Sequence, residues 1–167
     1  MRRNDKAACR NPVLSPEAEE ALTRFVGILT GPDEPRRQAA VEQIRHVAVP
    51  AVAQRVIALL VAFLGRQNKS ECRRAIQSLT GIGKRAIPTL LLTIMRSRSQ
   101  RIGVHCAETL AAIAPELSLR DRTNLMYDLQ IAMRKVKAVN VVQACALALA
   151  AVRLVSNAEK EPVLNHE

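Results

Sequence analysis

Few residues of this sequence have the types and spacing that catalysis or metal binding requires. The chain contains three histidines and four cysteines, and no two of them have the His-x-x-x-His or Cys-x-x-Cys spacing of a metal site. Asp121 and Asp128 lie seven residues apart, on one helical face, but a helix cap and a solvated surface residue explain them better than an acid pair. We therefore expect no metal, no cofactor and no catalytic residue, and we interpret the protein as non-enzymatic.

The cysteines are Cys9, Cys72, Cys106 and Cys145, and most of them fall inside helical patterns. In a chain with an adequate core this placement predicts reduced thiols and a cytoplasmic protein. The longest apolar run, from Val56 to Leu64, is too short to span a bilayer, and the N-terminus lacks the apolar run of a signal peptide. We expect no membrane association.

Charge is the most informative property of the composition. Lys and Arg total 25 against 15 Asp and Glu, which gives a formal net charge of +10. Such an excess favours anionic partners and carries no information about the fold.

Eight helices, and no strand, are predicted from capping residues, prolines and apolar stripes. Gly81 and Gly83 together are expected to form the turn after the fourth helix. Ser70 is the expected N-cap of that helix, and Ser118 with Asp121 forms a capping-box pattern. The eight helices are expected to begin at or near Pro16, Pro35, Pro50, Ser70, Pro88, Ser99, Ser118 and Asn140.

Every second helix repeats one pattern, in which a small residue is followed by aliphatic residues four and seven positions later. The small position is occupied by Ala40, Ala75, Cys106 and Cys145, so we expect both cysteines to serve packing. The first aliphatic position is occupied by Ile44, Leu79, Leu110 and Leu149, at spacings of 35, 31 and 39 residues. A period near 35 residues is typical of stacked helix pairs.

The stretch RRAIQSLTGIGKRAIPTLL resembles the HEAT-repeat family, whose units follow A-x-x-x-L-x-x-I-G-x-x-A-x-P-x-L. The matching residues are Ala75, Leu79, Ile82, Gly83, Ala86, Pro88 and Leu90. The resemblance implies an all-α, right-handed solenoid of about four stacked antiparallel helix pairs over residues 16–156. Residues 1–15 are then a basic flexible tail and residues 157–167 a polar tail.

The family likeness implies interaction scaffolds and, more rarely, enzymes such as DNA glycosylases. Those enzymes hold an exposed nucleotide against aromatic side chains. This chain has no Trp, and Tyr127 is its single Tyr, so base stacking has almost no support.

The basic residues are concentrated in one class of turn. In an array of helix pairs, all turns inside pairs lie along one edge and all turns between pairs along the other. The second edge holds fewer basic residues, among them Lys84, Arg85 and Arg122, and Glu116 and Asp121 offset them in part. The turns inside pairs, with the starts of the second helices, hold 12 of the 25 basic residues: Arg36, Arg37, Arg66, Lys69, Arg73, Arg74, Arg96, Arg98, Arg101, Arg134, Lys135 and Lys137.

These twelve residues predict an arginine-rich ridge that binds an anionic macromolecule, either nucleic acid or a nucleoprotein, through its backbone. Part of the charge at Arg96, Arg134 and Lys135 is also expected to complement helix C-termini. The alternative is an adaptor whose concave face, built by the second helices, grips a partner helix or an acidic peptide. The oligomeric state is open from the sequence.

Overall fold

A computed structural model describes residues 15–158, and all regular secondary structure in that range is helical. The predicted all-α class is confirmed. The described residues do not include 1–14 of the expected N-terminal tail or 159–167 of the expected C-terminal tail. Asn157 and Ala158, which were expected to belong to the C-terminal tail, are part of the last helix. The helices are α1 (Pro16–Leu29), α2 (Glu34–His46), α3 (Pro50–Phe63), α4 (Lys69–Ile82), α5 (Ile87–Arg96), α6 (Gln100–Ile113), α7 (Leu119–Lys135) and α8 (Val139–Ala158).

Side-chain caps begin three of the eight helices where the sequence predicts a helix start. Ser15, Ser99 and Ser118 each accept a hydrogen bond from a backbone N–H three residues later. The expected cap of α4 was wrong, because Asn68 and not Ser70 is its N-cap. The Asn68 Oδ1 accepts from the amides of Ser70 (3.0 Å) and Glu71 (3.3 Å), so two otherwise unpaired donors of the first turn are satisfied.

The two glycines at the end of α4 have different roles. Gly83 has φ 70, a left-handed conformation that favours glycine, and it ends the helix. Gly81 stays inside α4, so the expectation that both glycines form the turn was wrong. A Cβ at Gly81 would lie 2.8 Å from Cγ1 of Val41, so the missing side chain lets α4 approach α2 closely.

Helix contacts follow a regular order. Each odd-numbered helix packs on the even-numbered helix that follows it, as in α1 with α2 and α7 with α8. The even helices also contact one another in succession from α2 to α8, and the odd helices do so from α1 to α7. We call α2, α4, α6 and α8 the second helices and the other four the first helices.

The core is aliphatic, as the near absence of aromatic residues requires. Both repeated positions of the second helices are buried, from Ala40 and Ile44 in α2 to Cys145 and Leu149 in α8. Tyr127 is 65% exposed. Phe25 and Phe63 are only partly buried at the margin of the core. Burial of Leu, Ile, Val and Ala therefore supplies most of the hydrophobic stabilisation.

Candidate polyanion-binding surface

Contacts between successive pairs bring the turns inside pairs next to one another. Arg74, at the start of α4, donates from Nε to the carbonyl oxygen of Thr30 at 2.6 Å, in the turn after α1. A Cβ at Gly65, in the turn after α3, would lie 2.9 Å from Ile102 of α6. The Asn140 Nδ2 of α8 donates to the Gln100 Oε1 of α6 at 3.3 Å. We call this side of the protein the turn edge.

Two of the twelve predicted ridge residues are structural arginines that hold the C-terminal end of α1. Arg37 is buried, and its Nη1 donates to the Gly31 carbonyl oxygen at 3.0 Å, while its Nη2 donates to Gln77 at 3.3 Å and pairs with Glu34. The half-buried Arg74 donates to a neighbouring carbonyl of the same turn. Helix C-termini carry unpaired carbonyls and partial negative charge, so these guanidinium groups are already engaged.

Two further residues of the twelve are partly neutralised by nearby acids. The Nε of Arg36 lies 3.1 Å from the Asp33 carboxylate. The Nη1 of Arg66 lies 3.3 Å from Glu71, and its guanidinium carbon is 3.8 Å from the ring centroid of Phe63. The first pair of helices therefore contributes little uncompensated charge to the turn edge.

The other eight predicted residues are exposed, and none of their side chains forms an ion pair or a hydrogen bond with another described residue. The stretches RSRSQR at 96–101 and RKVK at 134–137 contain no acid. We call these eight residues the free cations, and they belong to the last three turns of the turn edge: Lys69, Arg73, Arg96, Arg98, Arg101, Arg134, Lys135 and Lys137.

Charges on the opposite edge are largely satisfied within the protein. Arg85 donates to the carbonyl oxygens of Ile44 (3.0 Å) and Val47 (2.9 Å), which end α2. Lys84 pairs with Asp121 at 2.8 Å. Most of the free positive charge of the two edges therefore lies on the turn edge.

Other basic residues of that edge bridge neighbouring helices. Arg45 pairs with Glu42 at 3.1 Å and with Glu116 at 2.7 Å. The buried Arg122 donates from Nε to the Ala114 carbonyl oxygen at 3.2 Å. Sequence analysis missed these roles, although each of these arginines lies within about a turn of a helix end, where such contacts are expected.

Asp121 lies in the first turn of α7 and is bonded to the Ser118 cap. Its backbone N–H donates to the Ser118 hydroxyl oxygen at 3.2 Å, and its carboxylate accepts from Lys84 at 2.9 Å and from Ser118 Oγ at 2.8 Å. The hydrogen bond from Lys84, and next the one from Ser118, lowers the pKa of the Asp121 carboxyl. A general acid needs its pKa raised toward neutrality, so this environment does not favour that chemistry.

The described cysteines, Cys72, Cys106 and Cys145, are free and buried, and Cys9 lies outside the described residues. Burial raises the pKa of the Cys106 thiol to about 12, with a smaller contribution from Cys145. A protonated, inaccessible thiol is not a nucleophile at neutral pH. Within residues 15–158 no group of three or more His, Cys, Asp or Glu side chains has the arrangement of a metal site.

An open groove of about 650 Å³ lies between α2 and α4, away from the free cations. Its lining includes Val41, Gly81 and the carboxylates of Glu42 and Glu116. The Thr80 hydroxyl in its wall is buried and has no hydrogen-bond partner among the described residues.

Helix α8 is long and apolar enough to cross a membrane by length and composition. The most apolar 18-residue window of this 20-residue helix has a mean hydropathy of 1.8, and 39% of that window is buried inside the protein. The core helix of a soluble protein passes the same test, so this property alone is weak support for a membrane span. In the sequence this helix does not form an uninterrupted apolar run, because Asn140, Gln143 and Arg153 divide it.

No protein-family model matches the chain, and no curated protein matches it at a significant level. The site is therefore interpreted from its own geometry.

Proposed function

We propose that the eight helices form a right-handed, HEAT-like solenoid of four stacked antiparallel pairs. The order of helix contacts supports this arrangement, because each helix packs on its partner and on the corresponding helices of the neighbouring pairs. The close approaches at Gly81 and Gly103 support it as well, since both join one second helix to the next.

We further propose that the protein is a non-enzymatic, cytoplasmic binding module that docks on nucleic acid or a nucleoprotein through the free cations. This proposal rests on one observation: the side chains of eight exposed cations on successive turns have no acidic partner among the described residues.

A phosphate backbone is the ligand whose chemistry fits these residues best. Five of the eight are arginines, whose planar fork binds phosphate in two-pronged geometry. Neighbouring helices lie about 10 Å apart, so the free cations of successive turns form a row that an extended polyanion can follow. Base-specific reading is not part of the proposal, because aromatic stacking groups are missing.

The test is fluorescence anisotropy of labelled single-stranded RNA and duplex DNA over a salt series. Each neutralised phosphate contributes about −0.7 to −0.9 to the slope of log K against log salt, so five contacts predict a slope of roughly −4. Replacing Arg73, Arg96, Arg98 and Arg101 by glutamine should bring the slope close to about −1 and leave the thermal stability unchanged.

A matched control removes the same charge from other surfaces. Arg24, Arg55, Arg120 and Arg153 are also exposed, and their joint replacement by glutamine should leave most of the salt slope intact. Equal losses in the two variants would mean that net charge, and not the turn edge, attracts the polyanion. Weak binding with a flat slope in the wild type would reject the proposal.

A second candidate function is an adaptor that grips a protein partner in the groove between α2 and α4. The unpaired Thr80 hydroxyl supports this alternative, because a buried polar atom without a partner costs about 1–3 kcal/mol and a ligand donor or acceptor would satisfy it. Binding of a protein partner that survives the four-arginine substitution and is lost on Ala39→Trp, at an exposed position of the groove lining, would favour this function.

A further inference from the structure

A large apolar face of α8 is exposed. The side chains of Leu147 and Leu154 are 73% and 71% exposed, and the exposed Ala146 and Ala150 lie beside them. Arg153 is the single charged residue of this 20-residue helix. Contiguous apolar surface of this kind marks an interaction site more often than isolated exposed leucines do.

The position of the face in the stack indicates which neighbour it lacks. In α6, Gly103 lies against Val141 of α8, and both Gly103 and Ala107 are buried. Gly103 stands three positions before Cys106, the small residue of the repeat in α6, and Ala107 stands one position after it. The corresponding residues of α8 are Val142, which is half-buried, and Ala146, which is exposed. These two positions of α8 are apolar and no described helix covers them, whereas Arg153 stands where the previous repeat has the buried Ala114.

We propose that a second copy of this chain covers the face, with the two α8 helices antiparallel about a two-fold axis near their midpoints. A two-fold contact pairs a surface with itself, and the exposed side of α8, with one cation, the neutral Gln143 and Asn157 and no acid, is compatible with its own copy. A strongly basic partner would find no opposite charge on α8, and a strongly acidic partner would find only Arg153.

Electrostatics selects the antiparallel orientation. The basic cluster Arg134, Lys135 and Lys137 lies at the N-terminal end of α8. A 20-residue helix is about 30 Å long, so antiparallel helices hold the two clusters about 30 Å apart, beyond the screening length of about 8 Å at physiological salt. Parallel helices would place the clusters side by side, where they repel.

The size of the contact predicts a dimer of moderate affinity. Two helices in contact along about 30 Å bury on the order of 1,000 Å² in total, near the lower limit for a specific interface. The small side chains of Ala146 and Ala150 allow the helix axes to approach closely. This inference does not depend on polyanion binding, but a dimer would present the free cations of two chains to one partner.

The test is sedimentation velocity of the full chain, treated with nuclease, from about 1 to about 100 µM, the range in which a moderate dimer dissociates. We expect the mass to approach twice 18.3 kDa with rising concentration. Added salt should not weaken the dimer, whereas it weakens polyanion binding, so the two proposals fail separately. A monomer over the whole range would overturn the inference.

Substitutions locate the interface. Leu147→Glu with Leu154→Glu places charge on exposed positions and should raise the dimer Kd at least about a hundredfold without unfolding the protein. Leu119→Glu with Tyr127→Glu, at exposed positions of α7, is the matched control and should leave the Kd unchanged. Equal effects of the two variants would place the contact elsewhere.

Cysteine crosslinking tests the orientation. Cysteine introduced by Leu147→Cys near the helix midpoint should form a disulfide with its own copy, and cysteine introduced by Val139→Cys at the helix start should not. Crosslinking at both positions would indicate parallel helices and contradict the proposed axis. A monomer that binds neutral phosphatidylcholine vesicles, and loses this binding on Leu147→Glu with Leu154→Glu, would overturn the inference and assign the face to a lipid surface.

Discussion

Arg36 and Arg37 are adjacent in the sequence, and we expect their replacement by alanine to have very different effects on stability. The side chain of Arg36 is 79% exposed and pairs with Asp33, whereas that of Arg37 is 6% exposed. Arg37 donates to the Gly31 carbonyl oxygen and to Gln77, so it joins the end of α1 to α4. The perturbation compares Arg37→Ala with Arg36→Ala in otherwise identical chains.

The magnitude follows from the contacts. A hydrogen bond that involves a charged group contributes about 1.5–3 kcal/mol, and Arg37→Ala also leaves a carbonyl acceptor without its partner. We therefore expect a loss of about 3 kcal/mol in the free energy of unfolding. For a domain of this size that loss lowers Tm by about 6–12 °C. Arg36→Ala removes an exposed ion pair, which is worth about 0–1 kcal/mol.

The assay is urea unfolding followed by circular dichroism, with a thermal melt of the same samples. Arg37→Lys should fall between the wild type and Arg37→Ala, because lysine retains the charge but cannot make both guanidinium bonds. A stability loss for Arg37→Ala no larger than that for Arg36→Ala would refute the assignment of Arg37 as a buried cap. Arg37 would then rejoin the free cations as a candidate for polyanion binding.

Four further predictions concern other parts of the fold. Asp121→Asn should lower Tm at neutral pH. Because folding lowers the pKa of the Asp121 carboxyl, the difference in Tm from the wild type should shrink as pH falls below about 4 and vanish below the folded-state pKa. Thermal melts of both proteins at several pH values measure this difference. Gly103→Ala should destabilise the protein by on the order of 1 kcal/mol in urea unfolding, because overpacking against α8 outweighs the gain in helix propensity. Gly27→Ala, whose Cβ meets nothing within 4 Å, should instead stabilise it by up to about 1 kcal/mol, and a destabilised Gly27→Ala would contradict the glycine argument. The Cys106 thiol should resist alkylation at neutral pH until the protein unfolds, measured by mass spectrometry, and rapid labelling of the native protein would contradict its burial.

Local chemistry made the helices predictable. Pro16, Pro50 and Pro88 all lie in the first turn of a helix, where a missing N–H costs no hydrogen bond. The Ser118 cap was equally readable, because its partner is three residues away. Asn68 was missed since Ser70, two residues later, is also a capping residue by type, and the backbone geometry decides which of them caps.

The candidate site was predictable only as a set of basic residues. Arg73 and Arg74 are identical in type and adjacent, yet Arg73 is exposed and Arg74 donates to Thr30, 44 residues earlier. No local pattern distinguishes them, because the acceptor belongs to another helix pair.

By itself, the sequence determined the helical class, the approximate helix ends, the aliphatic core and the excess of positive charge. These properties depend on residue type and on spacings of a few positions, which the chain carries in any conformation. The tertiary structure decided which cations are free, why Gly81 lacks a side chain inside a helix, and that α8 keeps an apolar face uncovered. Each of these depends on distances between atoms far apart in sequence, and only packing of the helices sets those distances.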